Sequence, residues 1–297
     1  MVSVIIPTFN AGTYINGLIS SLREQSIECE IIIIDSSSSD KTTSIVKTGI
    51  AKIVTIRKED FRHGKTRNLG VQISKSDIVI FLTQDALPMD LQCLKNLIKP
   101  LECLQVVASF GRQIPRADSS PIEKFARLFN YPDKPAIKGL EDIPKFGIKT
   151  FFFSNVCSAI KTKEFKELGG FPENIIMFED LIFAAKAILK GYKIAYVPEA
   201  KVCHSHNLSL LQQFHRYQDA GISLRNNAWI FEHTKANREG VEFLKRQILY
   251  LSRNHQYQWI PYAIAESVFK FAGFSLGLHG VNSCKKAIVS SSSFQNA

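Results

Sequence analysis

The feature that most constrains this chain is the pattern of its first 110 residues, in which short β-branched runs alternate with segments of helical spacing. Val2 to Ile6 is stopped by Pro7, and Ile15, Leu18, Ile19 and Leu22 then recur at helical intervals. Ile31 to Ile34 is unbroken and apolar, as a strand buried on both faces must be, and it stops at Asp35 and the serines 36–39. Asp40 can cap the next helix, with Ile45 and Val46; Lys52 to Ile56 and Ile78 to Leu82 read as further strands. Such alternation predicts βαβ units, hence an α/β fold built on a mostly parallel, mixed sheet flanked by helices. Ligands of such sheets bind beyond the carboxyl ends of the strands, where Asp35 and the group Thr83, Gln84 and Asp85 stand.

Further along, Gln105 to Gly111 predicts a strand, and 112–149 reads as a long loop with one short helix near Ile122 to Phe129. Order resumes over Thr150 to Ile160. Thr162 is placed to cap a short helix closed by Gly169 and Gly170, and Glu179 and Asp180 open another that ends at Gly191. Lys193 to Val197 is read as the last strand, ended by Pro198. From Asn207 the spacing is helical, and the tail 287–297 reads as frayed. The boundaries drawn are 1–206 for the α/β domain, divided into 1–110 and 111–206, and 207–297 for a C-terminal helical region.

Composition excludes more than it selects. With 45% hydrophobic and 22% charged residues the chain is neither disordered nor low-complexity. Its net charge of +10 suits an anionic partner. The charge is spread out and no reading motif appears, so no nucleic acid is expected. The six cysteines form no CxxC pair, which argues against a zinc site and a disulfide framework. MVSVIIPTFN has no basic leader, and the most apolar stretch, Tyr262 to Val281, is broken by Glu266, Lys270 and His279. A reducing, cytoplasmic location is expected.

Each side chain that could carry chemistry also has a plainer explanation. Asp35 either accepts the ring N–H of a uracil or thymine or caps the serine-rich turn. The stretch FRHGKTRNLG (61–70) either lays Arg67 on phosphate or is a solvated basic loop, with Asn68 fixing its backbone. Asp85 either holds a divalent metal on a diphosphate or caps a turn before Pro88. Glu179 and Asp180 are favoured by the helix dipole alone, or supply a general base on a stiff platform. His204 and His206, two apart, would point in opposite directions if extended, so both on one metal is not expected; one of them could complete a site led by Asp85.

Together PTFNAG (7–12), IIDSSSSDKT (33–42), HGKTRNLG (63–70), FLTQDA (81–86), GGFPE (169–173), FEDLIFAAKAILKGYKIAYVPEA (178–200) and VCHSH (202–206) resemble glycosyltransferases of family 2, with the GT-A fold. HGKTRN with TQDA most resembles the bacterial rhamnosyltransferases of O-antigen and related surface polysaccharides. The resemblance implies roles. Pro7, Thr8, Asn10 and Asp35 would bind the nucleotide, and Gln84 would join them on the donor side. Arg67, supported by Asn68, would face the diphosphate. Asp85 and His204 would hold Mg²⁺ or Mn²⁺, with His206 the fallback, and Asp180, with Glu179 beside it, would be the catalytic base. Thr83 stands where many relatives have the first acid of a DxD motif, which implies weaker metal binding or a metal held largely by the donor. The implied reaction is inverting transfer from a nucleotide-sugar donor, dTDP-L-rhamnose, to a saccharide or lipid-linked acceptor. A UDP-hexose donor and a degenerate, non-catalytic nucleotide-sugar-binding module are the alternatives. The absence of a glycine-rich loop after the first strand excludes a nucleotidyltransferase or a dehydrogenase. The region 207–297 carries ten Lys/Arg against five Asp/Glu, with Trp259, Phe269, Phe271 and Phe274 interspersed. That predicts either peripheral attachment to an inner membrane surface or a helical subdomain that covers the acceptor cleft or forms a homodimer.

Overall fold

The computed structural model describes residues 1–46, 51–234 and 239–280; the predicted frayed tail at 287–297 lies outside these. The elements run β1 (Val2–Thr8), α1 (Ile15–Arg23), β2 (Cys29–Asp35), α2 (Thr42–Val46), β3 (Lys52–Thr55), α3 (His63–Ile73), β4 (Ile78–Leu82), β5 (Leu87–Pro88), α4 (Cys93–Ile98), β6 (Val106–Ile114), α5 (Pro121–Asn130), β7 (Ala136–Lys138) and α6 (Ile143–Phe146). They continue with β8 (Cys157–Lys161), α7 (Thr162–Glu167), α8 (Glu179–Leu189), β9 (Lys193–Cys203), α9 (Leu210–Arg225), α10 (Trp229–Glu232), α11 (Glu239–Arg253) and α12 (Ile260–His279).

The predicted βαβ half is present. β3, β2, β1 and β4 lie side by side and parallel, with Thr8 opposite Asp35 at the carboxyl edge. Their unbroken apolar runs are explained by burial on both faces, against α1, α2 and α4 on one side and α3 and α8 on the other. β8 then pairs antiparallel with β4 and with β6, and β6 pairs parallel with β9. The result is one mixed sheet with helices on both faces, as expected. Gly64 and Gly70 let α3 press close to its neighbours. A Cβ at Gly70 would lie 2.3 Å from Ile5, and one at Gly64 would lie 2.1 Å from the carbonyl oxygen of Pro172.

Three local readings need correction. The stretch 112–149 holds the expected short helix, α5, capped by Ser120 with Pro121 in its first turn, but is more ordered than a loop around it: β6 runs to Ile114 and β7 pairs with β9. A three-residue strand is too short to show alternation. The last strand does not end at Pro198. Its register on β6 jumps from Gly111↔Val197 to Arg112↔Lys201, so Pro198, Glu199 and Ala200 bulge and the strand resumes to Cys203. Thr162 does not cap its helix; its hydroxyl donates to the Ser76 carbonyl. Phe274 and Trp259 pack inward against neighbouring cores, whereas Phe271 is 74% exposed.

The C-terminal helices are not a separate layer. α12 lies along α9, with Gly273 and Gly277 against the α9 backbone, and α11 packs Phe243 between Phe125 and Phe129 of α5. Among the described residues no helix is long and apolar enough to cross a membrane.

Candidate active site

The carboxyl edge of the sheet opens into a cleft of about 360 Å³. Pro7, Thr8, Thr83 and Gln84 line it from the strand ends, and His63 and Arg67 from α3. Glu179 and Asp180 line it from α8, His204 and His206 from beyond β9, and Gln212, His215, Arg216 and Asp219 from one face of α9.

Two groups of side chains dominate. The first is a candidate metal-ligand corner. Asp85, His204 and His206 place one ligand atom each within 4.8 Å of one another. This corrects the expectation that the two histidines diverge: their Nε2 atoms are 3.1 Å apart, and each lies within 3.5 Å of Asp85 Oδ2. The alternation of a strand ends at Cys203, and the following backbone turns, with the His204 N–H on the Ile114 carbonyl and the His206 N–H on Glu123. Burial, reinforced by Arg127, holds His204 well below the usual imidazole range, and burial lowers His206 against the pull of Asp85. Both are therefore neutral and able to ligate. Asp85 Oδ1 is buried without a hydrogen-bond partner, as a carboxylate awaiting a cation would be. Arg116 donates to the Asp85 carbonyl at 3.2 Å and stacks over Tyr14.

The second group is the acid pair at the start of α8. Phe178, at φ 70°, sits in the left-handed region and turns the chain sharply into the helix. Glu179 is buried and ion-paired with Arg67 at 3.2 Å, and it accepts from the Asn155 side chain. Burial pushes Glu179 up, but Arg67 and His63 outweigh it and hold the group below its ordinary value. Asp180 accepts from the backbone N–H groups of Asn155 and Leu181. Burial, and then the charge of Glu179, raise Asp180 to about 7. His63 beside them is pushed down to about 4, by burial first and by Arg67. One carboxyl is thus held as an anion while its neighbour is poised to exchange a proton near neutrality.

Residues 3–169 match the family described as glycosyl transferase family 2. The chain belongs to that family. Two O-antigen chain rhamnosyltransferases are each 41% identical to this glycosyltransferase. RfbN of Salmonella typhimurium aligns over 94% of this chain and 90% of its own length. WbaN of Salmonella anatum aligns over 93% of this chain and 89% of its own length. Among solved structures, a Pyrobaculum calidifontis mannosyltransferase in complex with GDP-Man and Mn²⁺ superposes with a TM-score of 0.59, at 20% identity over 94% of this chain and 76% of that one. TarS of S. aureus in complex with UDP-GlcNAc gives 0.54, at 17% identity over 93% and 90%. These likenesses establish the GT-A fold.

Not every predicted site residue of this glycosyltransferase faces the cleft. Asp35 is fully buried, accepts from Thr8 at 3.2 Å and from the Ser38 hydroxyl at 2.5 Å, and contributes no surface to the cleft wall. Asn10 lies outside the wall, exposed, with its Oδ1 on the Ser39 N–H. Asn68 faces the GGFPE turn, bonding both the N–H and the carbonyl of Phe171. Gln84 clamps the Phe9 backbone through both its amide atoms. Sequence reasoning missed Asn155, Gln113, Arg127 and the polar face of α9. The recurrence of 212, 215, 216 and 219 at helical spacing was a signal for the last of these; Asn155 had none.

Proposed function

We propose that this chain is an inverting rhamnosyltransferase of cell-surface polysaccharide synthesis, moving L-rhamnose from dTDP-L-rhamnose to a hydroxyl of a saccharide or lipid-linked acceptor. The identity to the two O-antigen chain rhamnosyltransferases, sustained over nearly the whole chain, supports the donor and the pathway. The observation that carries the catalytic reading is that Asp180, shifted to about 7, and the histidines of the metal-ligand corner line one cleft.

On this reading Thr8 and Pro7 line the pyrimidine end of the donor site, bordered by Asn10, with Asp35 buried behind Thr8. The Ser38 hydroxyl, 2.5 Å from Asp35 Oδ1, would have to turn away before that carboxylate could accept a base N–H. Gln84 holds the β1 terminus in shape. Asp85, His204 and His206 would hold Mg²⁺ or Mn²⁺; when bound, that cation supplies positive charge against the leaving diphosphate. Asp180 accepts the proton of the acceptor hydroxyl as its oxygen attacks the anomeric carbon from the face opposite the diphosphate, inverting that centre. Arg67, paired with Glu179 through Nη1 and lining the cleft, adds positive charge beside the donor's diphosphate, with Asn68 fixing the turn behind it. Gln212, His215, Arg216 and Asp219 of α9 face the acceptor side with hydrogen-bonding groups suited to a polyol.

The enzyme would work in the cytoplasm at the inner membrane face. Ile264, Val268 and Phe271 form an exposed apolar stripe on α12, and the excess of basic residues suits an anionic surface. Flotation with anionic liposomes tests this: association that salt disperses supports attachment, and its absence, with a dimer on sedimentation, leaves α12 as a subunit contact.

The deciding experiment for the reaction is a donor titration by calorimetry with and without Mn²⁺, followed by transfer assays. Binding and transfer specific to dTDP-rhamnose are expected. A preference for UDP- or GDP-sugars would overturn the donor, and tight donor binding without transfer to any lipid-linked saccharide would make the chain a binding module.

A further inference from the structure

The geometry points to Gln113 as a positioning residue that fixes the tautomer of His204 and so aims its Nε2 lone pair at Asp85. The inference rests on the reading of Asp85, His204 and His206 as a divalent-metal site.

Gln113 lies on β6 just past the bulge, with 2% of its surface exposed, and every polar atom of its amide is engaged. Its Oε1 accepts from Arg127 Nη1 at 2.6 Å and sits 2.9 Å from His204 Nδ1. Its Nε2 donates to the Tyr131 hydroxyl at 2.6 Å and to the Ser154 hydroxyl at 3.0 Å. The amide orientation follows from chemistry alone. A guanidinium can only donate, so the atom facing Arg127 is the oxygen, and the amide nitrogen must face the two hydroxyls, which can accept. An amide oxygen cannot donate, so the hydrogen between Gln113 and His204 belongs to Nδ1. In a neutral imidazole that leaves Nε2 unprotonated, on the side where His206 and Asp85 lie.

Arg127 is itself held. Its Nη2 pairs with Glu123 Oε1 at 2.6 Å on the same face of α5, and Glu123 Oε1 also accepts the His206 backbone N–H at 3.3 Å. One short helix therefore positions both histidines, His204 through Arg127 and Gln113, and His206 through its main chain. A partner that fixes the far nitrogen of a ligating histidine also raises its basicity, and its loss commonly costs 10–100-fold in metal affinity.

The test compares Gln113→Leu, which removes the acceptor, with Gln113→Glu, which keeps an acceptor toward His204. Two readouts are used. In metal-free protein labelled with ¹⁵N at histidine, two-bond ¹H–¹⁵N spectra report the His204 tautomer. Mn²⁺ alone is titrated while the EPR signal of the free ion is followed. The wild type and Gln113→Glu should show Nδ1–H at His204, and Gln113→Leu should lose it and bind Mn²⁺ about 10–100-fold more weakly. Should Gln113→Leu not fold, Arg127→Met releases the amide at a partly exposed position, and the same loss of the fixed tautomer is expected. A folded Gln113→Leu or Arg127→Met with an unchanged tautomer overturns the proposal, as does a Gln113→Leu with wild-type Mn²⁺ affinity. If the wild type binds no Mn²⁺, the metal reading fails, and the tautomer spectra alone decide the role of Gln113.

Discussion

Arg67 and Glu179 form a buried ion pair of 3.2 Å, and that pair sets Asp180 apart from the acid next to it. With Glu179 held as an anion by the guanidinium, its charge adds to burial and raises Asp180 to about 7. Only the deprotonated carboxylate can accept a proton, so kcat/KM should rise with pH through a midpoint near 7 and level off above it. Glu179→Gln removes the charge that helps raise Asp180 and should move this limb to lower pH. A rate–pH profile of both proteins checks the sign.

Removing the base should cost chemistry rather than donor affinity. Asp180→Asn is expected to lower kcat by about 10²–10⁴-fold, the usual worth of a general base. Calorimetry should find the donor bound much as before, and a variant with near-normal kcat would sink the assignment.

Breaking the buried pair on one side should be worse than replacing both partners. Arg67→Met leaves the Glu179 carboxylate without its cation and is expected to lower unfolding free energy by about 3–5 kcal/mol. Arg67→Met with Glu179→Gln should recover much of that loss. Urea denaturation of the single and double variants measures the difference.

Chelation should abolish transfer and Mn²⁺ should restore it. Among the described residues, Asp85 is the one carboxylate of the candidate cluster with His204 and His206. Asp85→Asn is therefore expected to lose measurable Mn²⁺ binding, while His206→Ala retains a weakened site. Equilibrium dialysis distinguishes the two.

Gly64→Ala tests the seating of α3. The added methyl would meet the Pro172 carbonyl, which belongs to backbone and cannot swing aside. A loss of about 1–3 kcal/mol is expected from overpacking, seen as a lower thermal midpoint.

Much of this was legible in the sequence because it is local. The runs at Val2, Ile31 and Ile78 mark strands buried on both faces; Asp35 and Asp85 stand at or just past the ends of such strands, and the Glu179–Asp180 pair stands where α8 begins. What could not be read depends on partners distant in the chain. Pro198 stops a strand read by itself, but a bulge against β6 accommodates it. Two histidines two apart diverge in a strand, and converge here because the strand has already ended. Arg67 reads as a phosphate-facing cation, and its ion pair with Glu179, from another helix, could not be read from the stretch around it. Gln113 carries no motif at all; its importance comes from four neighbours drawn from the turn after β9, from α5 and the residue that follows it, and from the segment before β8.

The bulge at Pro198–Ala200 also acts as a ruler. It stores three residues of slack in β9 just upstream of the histidines, so shortening or lengthening it would change which side chains arrive opposite Asp85 while the sheet core keeps its register. Chains that share this sheet could thus exchange one ligand set for another through a small insertion or deletion there, leaving β1 to β4 untouched.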